Sequence, residues 1–237
     1  MFSSFRFLAT ISLFAAAATA QRIPDAAGHW SGEVNVPKHE STLTVDLARD
    51  AKGHWIGTIS MPDSRTLDIP LGQILVDGYS VRFVVAGAPN NPSFEGVLSP
   101  DGHAFTGTYT LGEDKYPFAL ERKGAAQVAL PPPSTPIGRE FEGSWEGVLV
   151  NDDERLRVVV KLERGPDGAA TGTLTSLDQD NIELPLTTVT QKSRRLLFEI
   201  RTIGASFSGA INAAGTEISG DWAQPSGALP LVLKKVK

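Results

Sequence analysis

The chain writes GHWSGEV at residues 28–34 and GSWEGVL at residues 143–149. The same G-x-W-x-G thus recurs at a separation of 115 residues, far longer than any helical or heptad period and close to the size of a small domain. The intervening residues follow the same rule. At that offset Trp30 matches Trp145, Gly57-Thr58 matches Gly172-Thr173, Ile69-Pro70-Leu71 matches Leu184-Pro185-Leu186, and Phe83 matches Phe198. The offset then falls to 113, because AGAPNNPSF is two residues longer than RTIGASF. Beyond it Phe94-x-Gly96 matches Phe207-x-Gly209, Gly107-x-Tyr109 matches Gly220-x-Trp222, and Pro117 matches Pro230. One length change across so many matches is the signature of an internal duplication.

Each copy reads as strands. Leu43, Val45 and Leu47 alternate with Thr44 and Asp46, and Val81, Phe83 and Val85 alternate with Ser80 and Arg82, the period-two pattern of half-buried antiparallel strands. Turn signals such as Asp77-Gly78, Asp101-Gly102 and Asp167-Gly168 recur at short intervals. The expected fold class is all-β: two tandem, small, antiparallel up-and-down β-barrels, lipocalin/avidin-like, of about eight strands each, with a two-sheet sandwich as the alternative. Expected boundaries are a first barrel at 28–123, a stiff proline-rich linker at 124–140 around Pro131-Pro132-Pro133, and a second barrel at 141–237, with residues 21–27 a short disordered lead.

The first twenty residues stand apart. Arg6 is their one charge, an apolar run from Phe7 to Ala18 follows, and Ala18-Thr19-Ala20 has the small-x-small form of a signal-peptidase site. Residues 1–20 are therefore expected to be a signal peptide, with export to the periplasm or medium. The run is short for a membrane span, and no later one is longer. The chain has no cysteine, so stability must come from the core and not from disulfides. Without Arg6 the 22 basic residues become 21, against 27 acidic, a net charge of −6. A mildly acidic surface without a basic stripe argues against nucleic acid as partner.

Glycines occupy the centre of the apolar face on strand after strand, as in Trp30-x-Gly32-x-Val34 and Phe207-x-Gly209-x-Ile211. They weaken strands and pack nothing, so they need a reason. One is curvature, since a tightly coiled barrel needs places without a side chain. The other is a cavity widened around an apolar ligand. The many inward aromatics favour curvature and a filled core. Should a cavity exist, the expected lining is Trp30, Phe94, Tyr109, Trp145, Phe207 and Trp222.

Catalytic chemistry finds little support. There is no G-x-S-x-G, and Gly204-Ala-Ser206-Phe-Ser208-Gly209 lies on a strand pattern without the strand-to-helix elbow that motif requires. The four histidines (His29, His39, His54 and His103) all lie in the first copy, without metal-ligand spacing. Asp152-Asp153-Glu154 reads as a polar hairpin tip, and Asp178-Gln-Asp180-Asn181 as a solvated turn lacking the glycine and distal glutamate of a calcium loop. No catalytic residue, metal ligand or cofactor is expected.

The succession GSWEGVL, LTSLDQDNIELPL, ASFSGAI, ISGDWAQ and LPLVL resembles the all-β accessory region ahead of the catalytic domain in secreted bacterial α/β-hydrolases, over residues 143–235. The first copy follows it more loosely. The resemblance implies an exported accessory module and transfers no catalytic residue. The function expected is an exported, non-catalytic binding protein for a partner protein, such as a secreted hydrolase or envelope protein, or for an apolar small molecule. The alternatives are a weak hydrolase with its site between the domains and a structural envelope protein.

Overall fold

The computed structural model describes residues 23–37, 39–151 and 154–236. The expected signal peptide and the Asp152-Asp153 hairpin tip lie outside them. Strands β1 (Gly28–Val36), β2 (His39–Arg49), β3 (Trp55–Met61), β4 (Thr66–Asp77), β5 (Ser80–Val85), β6 (Ser93–Leu98), β7 (Ala104–Leu111) and β8 (Asp114–Gly124) each pair antiparallel with the next. β1 also pairs with β8, from His29 to Val34, and closes the barrel. Closure removes the free edges an eight-strand meander would otherwise expose.

The second copy repeats the plan as β9 (Gly143–Asn151), β10 (Glu154–Arg164), β11 (Ala170–Ser176), β12 (Ile182–Pro185), β13 (Thr188–Lys192), β14 (Arg195–Ile200), β15 (Ala205–Ile211), β16 (Glu217–Gln224) and β17 (Gly227–Lys235). It forms a curled sheet with β12 and β13 at its ends. Nine strands replace eight because one is cut in two. In the first barrel β4 turns from one neighbour to the other within itself: Ile69 and Pro70 pair with β3, while Leu71 to Asp77 pair with β5. In the second copy the same switch breaks the strand after Pro185. Leu186 N still donates to Gly172 O at 2.9 Å on the β11 side, and Thr187 N donates to Glu199 O at 2.7 Å on the β14 side.

Beyond the break, residues ahead of the second sheet bridge β11 and β13. Thr135 N donates to Val189 O at 2.9 Å, and Ala170 N donates to Thr135 O at 3.0 Å. The stretch expected to act as a spacer is thus bonded to the second sheet along part of its length, and Ile137 is buried in that core. The lead of the first copy is packed too, contrary to the disorder expected of it: Ala26 is buried, and Trp30 Nε1 donates to its carbonyl at 3.1 Å. Trp145 Nε1 makes the equivalent bond to Phe141 O at 2.8 Å.

Each sheet encloses its own apolar core, one drawn from residues 26–120 and the other from 137–233. Phe83 stacks on Phe94 with centroids 5.1 Å apart, and Phe198 stacks on Phe207 at the same separation. Glu33, Arg82, Glu95 and Glu121 point outward and are exposed, an apolar-in, charged-out alternation opposite to that of a membrane barrel. Among the described residues no helix is long and apolar enough to cross a membrane.

The inward glycines sit where adjacent strands meet. Gly96 lies opposite Gly107, and Gly209 opposite Gly220. A Cβ on Gly107 would collide with Glu95 O and Gly96 Cα, and one on Gly220 would collide with Ser208 O and Gly209 Cα. The obstacle is neighbouring backbone, so these glycines serve curvature.

Candidate functional site

The two ends of the first barrel differ. At one end the lead crosses the opening, where Arg122 donates through Nη1 to Ala27 O and through Nη2 to Asp25 O, and through Nε to Gly102 O at 2.8 Å. The Arg122 guanidinium also lies 4.3 Å from the centre of the Trp30 ring, a cation–π contact. Trp30, Phe105 and Phe118 fill the barrel behind it in edge-to-face contacts. This end is sealed.

The other end holds a cavity of about 170 Å³. Every strand from β1 to β7 contributes to its wall, including Val34, Leu43, Ile69, Val85, Phe94 and Tyr109. Among the described residues that line it there is no glycine and no charged side chain. The filled core expected from the aromatics therefore holds for the sealed end and fails at the mouth, where aliphatic side chains leave space between them.

One lining residue comes from the other repeat. Thr202 lies in the 3-10 turn η2 (Arg201–Ile203) between β14 and β15, and its Oγ1 is buried without a hydrogen-bond partner. The turn is fastened from several sides. Arg201 N donates to Thr187 Oγ1 at 3.0 Å, and Gly204 N closes the turn on Arg201 O at 3.1 Å. Across the repeats Arg201 Nη1 donates to Asp68 O at 3.0 Å and to Ala129 O at 3.1 Å, and Arg65 Nη1 donates to Pro225 O at 3.3 Å. These contacts between repeats are arginines on backbone carbonyls, an arrangement that fastens and does not activate a nucleophile.

Of the six residues expected to line a cavity, Phe94 and Tyr109 do so in the first barrel, with ring centroids 4.7 Å apart. Trp30 belongs to the sealed end. Trp145 is its counterpart, with Lys235 Nζ 5.1 Å from the ring centre. Phe207 and Trp222 are buried in the second core, and Trp222 Nε1 has no hydrogen-bond partner. At the corresponding mouth of the second sheet, Leu149, Asn151, Glu154, Leu156, Gln224 and Leu229 line a more polar hollow of about 340 Å³.

The ionisable groups near these features are structural. His29 Nδ1 lies 2.9 Å from Asp46 Oδ1, an oxygen that also accepts from Gln127 N at 2.7 Å, so the pair ties the start of the linker to the barrel. His54 pairs with Asp50 at 3.3 Å. Among the described residues no group of three or more histidines and carboxylates could hold a metal ion. Burial pushes the Tyr109 phenol above its ordinary value, with neighbouring Tyr116 adding to the shift.

The chain is an all-β protein of two tandem lipocalin-like units, one a closed barrel and the other a curled sheet built to the same plan. No family model and no curated protein matches it. Among solved structures it is similar to a protein of unknown function from the DUF3598 family of Nostoc punctiforme, at 12% identity and a TM-score of 0.26, over 89% of this chain and 96% of that one. It is also similar to a putative outer membrane protein of Bacteroides fragilis, at 12% identity and a TM-score of 0.29, over 89% and 97%. Scores this low carry no weight for function. None of these comparisons ties the chain to the accessory regions of α/β-hydrolases.

Proposed function

We propose that this is an exported, non-catalytic binding protein that holds a small apolar molecule in the mouth of its first barrel. The observation that carries the reading is the cavity bounded by Ile69, Val85, Phe94 and Tyr109, closed behind by packed aromatics. An apolar cavity of about 150 Å³ in another protein stays dry and admits benzene, so about 170 Å³ suits a single ring or the end of a short chain. Export rests on residues 1–20, whose charge, apolar run and Ala-x-Ala ending have the form of a signal peptide. Native mass spectrometry of protein purified from its own host tests the reading. An apolar adduct carried by the wild type and missing from Ala88→Phe, which fills the mouth, is the expected result. An adduct retained by that variant, or none in either protein, counts against it.

A second reading, a partner protein on the second repeat, is favoured by the β9–β17 seam. The exposed Val150 and Val232 line a groove beside that seam with Arg155 and Arg157. Val150 and Val232 would receive apolar side chains of a partner, and Arg155 and Arg157 its acidic groups. Weakened capture of an envelope partner by Val232→Lys would support it.

A further inference from the structure

We propose that the chain associates head to tail with a second copy of itself, the outer face of β4–β6 in one copy meeting the outer face of β13–β15 in the next. Neither the cavity nor the groove beside the β9–β17 seam takes part. The duplication writes this surface twice. In the first barrel Asp77 stands opposite Ser80, and Ser80 opposite Val97. In the second sheet Lys192 stands opposite Arg195, and Arg195 opposite Ala210. One row further along, Arg82 faces Glu95 in the first and Leu197 faces Ser208 in the second. These side chains point outward, since Val81 and Phe83, and likewise Leu196 and Phe198, alternate with them and are buried.

The backbone repeats but the charge is inverted. Lys192 takes the place of Asp77, Arg195 that of Ser80, and Ser208 that of Glu95. The first face thus sets two acids around Arg82, while the second carries two bases and no acid at the matching positions. Among the described residues Asp77, Glu95, Lys192 and Arg195 take part in no ion pair, and Arg195 donates to the neutral Ser208 Oγ at 3.1 Å. Of the acids next to the second face, Glu199 is already paired with Arg201 at 3.3 Å, and Asp221 lies on the strand beyond Ser208.

Apolar groups match as well. Leu75 and Val97 are 54% and 52% exposed, and they border a hollow of about 270 Å³ that Arg82 and Glu95 also line. Leu197, 37% exposed, projects from the centre of the other face and is the side chain to enter it. Lys192 and Arg195 set against Asp77 and Glu95 then fix the orientation. The repeats of one chain touch where Arg201 reaches Asp68, at the start of β4 and just past the end of β14. The Asp77–Ser80 and Lys192–Arg195 hairpins lie at the opposite ends of those strands, so each face is free for another copy. Two different faces make the contact heterologous, and such contacts build rings or open chains.

Sedimentation of the full chain up to millimolar concentration tests this. The average mass of wild type should rise with concentration and fall with added salt. Asp77→Asn/Glu95→Gln and Lys192→Gln/Arg195→Gln should each lower the association constant about tenfold, the scale of two exposed ion pairs. Thermal unfolding checks that both variants are folded. Mixed together they should form a dimer and nothing larger, because one intact face of each kind remains per pair. Val232→Lys should associate as wild type does. A wild type that stays monomeric, either double variant associating like wild type, or a mixture no larger than its components would overturn the proposal. Loss of association in Val232→Lys would also overturn it and move the contact to the β9–β17 groove. None of these residues lines the cavity, so toluene binding tests that reading separately.

Discussion

Arg201 of the second repeat donates from Nη1 to the main-chain carbonyl of Asp68 in the first, 3.0 Å away. The same nitrogen reaches Ala129 O, so one guanidinium joins both repeats and the segment between them. Bonds from a charged donor to neutral carbonyls are stronger than neutral pairs, but this side chain is not fully buried, which weakens them. Arg201→Ala should lower the stability of the full chain by about 1 kcal/mol and weaken toluene binding, because the turn that carries Thr202 loses its anchor. Denaturant midpoints and titrations measure the two effects. Unaltered toluene affinity would show that the turn does not help to form the site.

Separate cores predict that each repeat unfolds as its own cooperative unit, and the contacts ahead of β9 predict where the second can be cut. A fragment of residues 131–237 retains the Thr135 bridge and buried Ile137, whereas 141–237 loses both. Burial of one isoleucine is worth about 1.5–3 kcal/mol. The longer fragment should therefore be the more stable by roughly that amount in urea unfolding. Equal stability would mean that residues 131–140 only pass by, and failure of the longer fragment to unfold cooperatively would make the repeats one unit.

The paired glycines predict a sharp positional contrast. At Gly209 a Cβ would lie 2.5 Å from Phe207 Cζ and 3.0 Å from Ile218 Cγ2, so Gly209→Val should cost about 1–3 kcal/mol through overpacking. Ser208, the neighbour on the other face, accepts a bond from Arg195 at an exposed site, and Ser208→Val should cost well under 1 kcal/mol. Thermal unfolding of the two variants decides, and equal losses would mean that the faces are reversed.

Tyr109 and Tyr116 both stand above the ordinary tyrosine value of 10.0, chiefly because burial disfavours the phenolate. The folded chain then holds these protons after the unfolded chain has released them. The stability they contribute is fully present below pH 10.0 and is lost as pH rises from there through the raised values. Ultraviolet titration should show a late-ionising component that shrinks in Tyr109→Phe, and bound toluene should delay it further. A Tyr109 that ionises at the ordinary value would mean that the mouth is flooded.

Much of this architecture is legible in the sequence because a β-barrel writes its faces at period two. The duplicated Trp30 and Trp145, each bonded to a carbonyl four residues back, show how closely one copy repeats the other. What could not be read was the space between aliphatic side chains. Phe94 and Tyr109 were foreseeable as inward aromatics, but whether Ile69 and Val85 meet or leave a gap depends on barrel radius and not on residue type. Thr202 was missed because it serves a barrel other than its own. A signal for it existed, since RTIGASF and AGAPNNPSF mark the place where the copies differ in length, and both turns lie where the repeats touch. The packed lead was missed for a similar reason: a lone Ala carries no periodicity, and the burial of Ala26 follows from Trp30 and from Arg122, which holds the lead across the barrel end.

On the function proposed above, the mouth of the first barrel admits an apolar molecule. Intermolecular nuclear Overhauser effects from toluene to methyl-labelled protein test it most directly. Contacts are expected to the methyl groups of Ile69, Val85 and Leu43, together with Thr202 from the second repeat, all lining one cavity. Contacts confined to Leu149, Leu156 and Leu229 at the mouth of the second sheet, or no contacts at saturating toluene, would contradict it.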